Sequence, residues 1–296
     1  MQTSSQTLLI VAIPPILGSL VVLSIADVGM NVWITHLLAI SLGCCLVFVG
    51  SYLRRLSNRK ITAFTIIILT LLGLATSILG GDSSEPERWI SVGPVRLYIA
   101  PVLLPSFIGA CSVYVGEDSK QQMVSFTAVL ATGLLLSLQP DASQVLGLTA
   151  ASAVVVAQHR LGVFRLGAVA FLLGALTLWA FSLPDPLEPV PHVEEVFALA
   201  LSHSLFAGLA IIASAGALIV GLWIRSRSGP SWLAAVASYY MVLFVCSTTG
   251  ITPAPLLGYG AGPILGFGLM TGLLGWLEHQ NLPNKSIQPI ADATGD

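Results

Sequence analysis

Apolar runs close to twenty residues long recur along the whole chain, separated by short polar breaks. A helix needs about 20 residues to cross a hydrocarbon core of roughly 30 Å. Segmenting on that length predicts ten spans: Leu8–Ala26, Trp33–Leu53, Ile61–Leu79, Tyr98–Val115, Met123–Leu138, Ala142–Ala157, Val163–Phe181, Val196–Ile224, Trp232–Thr249 and Ala261–Leu277. The fifth and sixth are short and flank Gln139-Pro140-Asp141. The eighth is long enough to tilt or to begin outside the membrane. No repeat with a period of 20–50 residues interrupts the pattern, and no separate soluble domain stands out. The predicted architecture is an all-α, polytopic membrane protein: one transmembrane domain over residues 1–281 and a short polar tail over 282–296.

Composition narrows the classes further. Among 296 residues there are 12 Lys+Arg and 14 Asp+Glu, so charged side chains make up 9% and hydrophobic ones 55%. Soluble domains carry roughly a quarter charged residues. A soluble enzyme and a disordered chain are therefore excluded. A net charge of −2 offers no field for nucleic-acid phosphates, so no nucleic-acid partner is expected. Cys44, Cys45, Cys111 and Cys246 all lie in apolar runs with no CxxC spacing, and read as small apolar helix residues. No basic residue precedes the first apolar run, which reads as a retained span and not a cleaved leader.

Charge placement orients the chain. Arg54, Arg55, Arg59, Lys60, Lys120, Arg160, Arg165, Arg225, Arg227 and Lys285 fall on one side of a ten-span layout; only Arg88 and Arg96 fall on the other. Basic residues mark the cytoplasmic side, which places both termini in the cytoplasm. Asp27, Asp82, Glu85, Glu87, Asp141, Asp185, Glu188, Glu194 and Glu195 fall on the opposite, outer side. Taken loop by loop, the plain reading is that acidic residues there keep the outer face wet.

Three outer features carry more chemistry. Glu87-Arg88-Trp89-Ile90 with Gly93 lies between spans three and four. Arg88 beside Trp89 is either an interfacial aromatic anchor with a snorkelling neighbour, or a site for phosphate or carboxylate, whose geometry a guanidinium fork matches. Gln139-Pro140-Asp141 ends span five at the proline, and Asp141 stands where it can cap span six. The stretch from Pro184 to Glu195 holds four prolines, stiffens the loop and ends in His192, Glu194 and Glu195 at the mouth of span eight. A carboxylate half-buried there has a raised pKa and the makings of a general base; it equally suits the first turn of a helix. His203 falls within span eight, as a packed polar residue or a donor to a neighbouring helix. Thr252 to Pro263, with Tyr259 in it, is irregular backbone before span ten, tolerated at that depth only when buried in protein or lining a cavity.

In this order the motifs resemble the SEDS family (shape, elongation, division and sporulation), the bacterial FtsW/RodA/SpoVE proteins. Their RWI-x-x-G motif corresponds to Arg88-Trp89-Ile90-Ser91-Val92-Gly93, and their QPD to Gln139-Pro140-Asp141. Their HTDFIFA corresponds to His192-Val193-Glu194-Glu195-Val196-Phe197-Ala198, and the run before span ten to Pro255-Leu256-Leu257-Gly258-Tyr259-Gly260-Ala261-Gly262-Pro263.

The resemblance implies ten spans with both ends cytoplasmic, in the bacterial cytoplasmic membrane. It implies polymerisation of lipid II, or another polyprenyl-pyrophosphate sugar, on the outer face, in cell-wall synthesis, cell shape or division. Glu194 would be the catalytic base and Asp141 would orient or support the site. Arg88, Trp89, Gln139, His192, Glu195 and Tyr259 would contact substrate. A hydrophobic groove among membrane lipids would hold the lipid tails, a class B penicillin-binding protein would be the partner, and the pyrophosphate leaving group is compatible with Mg or Mn.

The chain departs from the family in four places. Glu stands for Asp at 194, and Tyr98-Ile99-Ala100-Pro101 replaces QPSE. The serines before span ten are missing, and the loop ahead of His192 is short. These departures leave a non-catalytic SEDS-like scaffold or regulator as an alternative reading. A transporter is a third, disfavoured by spans almost without carboxylates.

Overall fold

A computed structural model of the chain describes residues 4–53, 58–80, 88–92, 95–116, 118–184 and 188–278. Arg54, Arg55, Asp82, Glu85, Glu87, Gly93, Asp185, Lys285 and the polar tail lie outside the described residues. The helices are α1 (Ser4–Ile25), α2 (Met30–Leu53), α3 (Arg59–Gly80), α4 (Ile99–Val115), α5 (Ser119–Leu138), α6 (Ala142–Gln158), α7 (Val163–Ser182), α8 (Val196–His203), α9 (Leu205–Ser228), α10 (Leu233–Ser247) and α11 (Ala261–Glu278). They run back and forth between two ends. Arg59, Lys60, Lys120, Arg165 and Arg227 mark a basic end. Asp27, Asp141, Glu188 and Glu194 mark the opposite, acidic end, where Arg88 also lies.

Among the described residues, six helices are long and apolar enough to cross a membrane: α1, α2, α3, α5, α7 and α9. The four shorter apolar helices are α4, α6, α10 and α11, and they form the interior. α4 is buried along nearly its whole length, and α6 packs on α10 while α11 packs on both α2 and α4. The long helices turn large apolar side chains outward, such as Phe171 at 74% exposure and Phe48 at 68%. A soluble surface would not carry this; a lipid-facing one does.

Two departures from the sequence expectation bear on the site. The eighth predicted span is not continuous. Ser204 is fully extended (φ −165°, ψ 152°), and its Oγ accepts the Ala207 N–H to cap α9. α8 folds back onto α9, and a Cβ at Gly208 would lie 2.2 Å from Leu201 Cδ2. His203, expected within a span, is instead exposed at the end of α8. The chain is also not purely helical. β1 (Trp89–Val92) pairs antiparallel with β2 (Val95–Tyr98) in register Trp89↔Tyr98. Trp, Ile, Val, Leu and Tyr favour this pleated form.

Helices α2 and α11 approach so closely that only glycine fits between them. A Cβ on Gly268 would lie 2.4 Å from the Gly43 carbonyl oxygen, and one on Gly50 would lie 2.7 Å from Gly272 Cα. The obstacles are backbone atoms, which cannot rotate away. Small residues are the usual means of helix contact in a bilayer, where no hydrophobic force drives helices together. Gly268→Val is expected to destabilise by about 1–3 kcal/mol or more, read as a lower thermal midpoint in detergent. An unchanged midpoint would refute the close approach.

Candidate active site

The site is assembled at the acidic end from four segments: the hairpin, the α5–α6 turn, the loop before α8 and the loop after α10. Its centre is a cavity of about 200 Å³. Arg88, Trp89 and Tyr98 line it from the hairpin, Glu188, Pro189 and Glu194 from the loop before α8, and Thr249 to Ile251 with Pro253 from the loop after α10.

Arg88 is 7% exposed. Its Nε donates to the Gln139 carbonyl at 3.0 Å, and its Nη2 donates to the Pro140 carbonyl. The guanidinium thus clasps the turn that positions Asp141. Its charge also reaches both carboxylates, opposing the upward shift that burial imposes on Asp141 and Glu194.

Asp141 is buried behind the cavity wall, at 2% exposure. It stands at the N-cap position of α6, as expected from sequence; no tight cap hydrogen bond closes there, yet the Gln144 N–H at the third helical position still favours its charge. The carboxylate also turns to hydroxyls. Oδ2 accepts from Tyr98 Oη, and Oδ1 accepts from Ser143 Oγ at 3.2 Å. Burial pushes the Asp141 carboxyl up; Arg88, the Tyr98 and Ser143 hydroxyls and the Gln144 backbone pull the other way.

Glu194 is half-buried and faces the cavity. Its Oε2 accepts the Val190 N–H at 2.9 Å, which holds the carboxylate in the turn. Burial raises its pKa; the Val190 N–H and the Arg88 charge oppose the shift, and Glu195 adds to it. The loop is braced from behind. Ala254 N–H donates to the Val193 carbonyl at 3.0 Å, and Tyr259 N–H to the His192 carbonyl at 2.8 Å. A Cβ on Gly258 would lie 2.4 Å from the Val193 oxygen, so a larger residue there would push the Glu194 turn away.

The structure therefore brings Arg88, Trp89 and Glu194 to one cavity. It sets the other expected site residues around that cavity, off its wall. Gln139 is fully buried and points into α3, where Nε2 donates to the Leu74 carbonyl and to Ser77 Oγ, each at 2.9 Å. Its amide joins helices; this placement offers no contact with a ligand in the cavity. Tyr259 stands between two histidine rings, 5.9 Å from His192 and 6.2 Å from His36. Glu195 is exposed at the start of α8. The irregular stretch before α11 is buried in protein through Thr252, Ala254, Leu256 and Leu257.

Tyr98 and Glu188 also line the cavity and were not singled out from sequence. For Tyr98 a signal existed: Gly93-Pro94 flanked by strand-forming residues marks a hairpin, and a hairpin places Tyr98 opposite Trp89. Among the described residues, no three His, Cys, Asp or Glu side chains converge as a metal site. All four cysteines are free.

A second cavity of about 340 Å³ lies nearer the basic end, between α3, α4 and α11. Ile66, Leu69, Leu103, Leu269 and Leu273 make it almost wholly apolar.

No family profile and no curated protein matches the chain. Solved structures do. The crystal structure of the rod shape-determining protein RodA of Thermus thermophilus superposes with a TM-score of 0.71 at 20% identity, covering 93% of this chain and 97% of that one. An aspartate-to-alanine variant of the same protein gives 0.70 at 20% identity, covering 93% and 98%. A structure described as the coordination of polymerization and crosslinking by a peptidoglycan synthase complex gives 0.71 at 19%, covering 93% and 98%. The chain has the fold of a polytopic helical membrane protein. More narrowly, that fold is the one of RodA, so the likeness to the SEDS proteins holds in three dimensions over nearly the whole chain.

Proposed function

We propose that this chain is a membrane glycosyltransferase that polymerises a polyprenyl-pyrophosphate sugar, lipid II, on the outer face of the bacterial cytoplasmic membrane, in cell-wall synthesis. The observation that carries the reading is the shared cavity: a half-buried carboxylate, Glu194, faces the same space as Arg88 and an aromatic pair. The fold likeness to RodA and to a peptidoglycan synthase complex supports it. The excess of basic residues at the opposite end supports the orientation, with both termini cytoplasmic.

In the reaction, Glu194 takes the proton from the 4-hydroxyl of the acceptor sugar. The freed oxygen attacks the anomeric carbon of the growing chain. The bond from that carbon to the pyrophosphate oxygen breaks, and polyprenyl pyrophosphate leaves with the bonding electrons. Arg88 supplies positive charge beside the cavity as negative charge builds on the leaving group. The apolar cavity between α3, α4 and α11 offers a bed for the polyprenyl tail. A class B penicillin-binding protein is the expected partner.

The scaffold reading also has a specific basis: Pro101 stands where the family carries a glutamate, and the serines before α11 are absent. One assay decides. Purified chain in nanodiscs is given labelled lipid II, with and without Mg²⁺ or Mn²⁺. Glycan polymer is expected. A cooperatively melting protein that makes none, yet co-purifies with a class B penicillin-binding protein, would be a scaffold.

A further inference from the structure

Tyr98 occupies a position where the SEDS motif has glutamine, and it is the link between the cavity and the buried carboxylate. It lines the cavity, yet its hydroxyl turns away and donates to Asp141. Its ring lies 5.7 Å from the Trp89 ring, at 41°, and the two residues face each other directly across the hairpin. The hairpin thus presents two neighbouring aromatic rings to the cavity, while Glu188 and Glu194 approach from the loop before α8.

This wall has the chemistry of a pyranose site. One face of a sugar ring is a patch of C–H bonds with slight positive charge, and it packs on the negative face of an aromatic ring. Its rim of hydroxyls needs acceptors, and carboxylates opposite the aromatic wall supply them. A phenol can rock about its Cβ–Cγ bonds. A hydrogen bond from its far end to a fixed acceptor stops that motion. Asp141 is such an acceptor, because it sits at the start of α6 and is itself held by Ser143 Oγ at 3.2 Å. The Asp141 carboxylate does not line the cavity; the Tyr98 ring, 8% exposed, stands in front of it.

We infer that Tyr98 and Trp89 form the wall on which the acceptor sugar packs, and that Asp141 is a positioning residue that acts through the Tyr98 hydroxyl. The inference rests on the glycosyltransferase reading but is tested apart from it.

The full chain in nanodiscs is mixed with tri-N-acetylchitotriose, a soluble β-1,4-linked N-acetylglucosamine trimer. Saturation-transfer NMR from aromatic protons to sugar C–H protons reads the contact, and titration of that signal reads the affinity. The wild type is expected to show transfer. Tyr98→Leu, which removes the ring, is expected to weaken binding about tenfold, the size of one lost aromatic contact. Tyr98→Phe keeps the ring but frees it, and is expected to weaken binding about threefold. Asp141→Asn added to Tyr98→Phe is expected to weaken it no further, because the two act on one bond. Tyr98→Phe also controls for folding through a melt that stays cooperative, at a midpoint lowered by the lost hydrogen bond to Asp141.

No transfer from the wild type, or equal affinity in Tyr98→Leu, would overturn the inference. So would an additive loss in the double variant, because Asp141 would then act independently of Tyr98. With lipid II, the wall predicts a raised KM for Tyr98→Leu with kcat nearly kept. Normal KM in that variant would overturn the wall and leave the polymerase reading standing, whereas a wild type without polymer would remove the polymerase reading itself.

Discussion

Glu194→Gln is expected to lower kcat for glycan polymerisation by about 10²–10⁴-fold, the usual contribution of a positioned general base. KM should change little, because the amide is nearly isosteric. The glutamine oxygen can still accept the Val190 N–H that holds the carboxylate in place, so the turn and the fold should survive. The pH profile supplies the second readout. Burial raises the Glu194 pKa, and a base works only when deprotonated. Wild-type kcat/KM should therefore rise with pH through a value higher than that of an ordinary glutamate and then level off. In Glu194→Gln that rising limb should vanish together with the rate. Glu194→Asp separates chemistry from reach. The shorter side chain keeps the charge but withdraws the carboxylate by one methylene, away from both Val190 and the cavity. A misplacement of about 1 Å costs on the order of a hundredfold in rate. Polymer formation by Glu194→Gln at the wild-type rate would take Glu194 out of the reaction.

The helices were legible because hydropathy over some twenty residues is set by the membrane and little by tertiary detail. The predicted Ala142–Ala157 differs by one residue from the observed α6, and Ile61–Leu79 sits inside α3. The break at Ser204 escaped the same ruler. One residue changes its backbone angles while the apolar run continues through it, and the cause is a cap bond and a glycine contact that no window averages see. Arg88, Trp89 and Glu194 were legible as chemistry because a charge or an indole is conspicuous beside apolar runs. Tyr98 was not. It opens an apolar helix, and its partner Asp141 lies 43 positions away, so nothing local marks the pair. The direction of Gln139 was equally hidden. Side chains two positions apart in a tight turn diverge, and here that of Gln139 enters the α3 interface while that of Asp141 supports the cavity wall.

Arg88→Leu is expected to destabilise the protein by about 2–6 kcal/mol, because two buried carbonyls lose their donors. Two losses add up to this. The carbonyls of Gln139 and Pro140 lose the donors that Arg88 provides, and a buried acceptor without a partner costs about 1–3 kcal/mol. Asp141, already raised by burial, also loses the guanidinium that stabilises its charge. The same substitution removes a cation from the cavity, so loss of activity alone would not separate a structural role from a binding one. Arg88→Lys does. The ammonium keeps the charge but is a single point that cannot span both carbonyls as the fork does. If the clasp is the main role, Arg88→Lys should lower the thermal midpoint clearly and raise KM only slightly. If holding pyrophosphate is the main role, the midpoint should hold while KM for lipid II rises. A wild-type midpoint in Arg88→Leu would remove the clasp altogether. The geometry favours the first outcome, because Nε and Nη2 of Arg88 both already donate to the turn that carries Asp141.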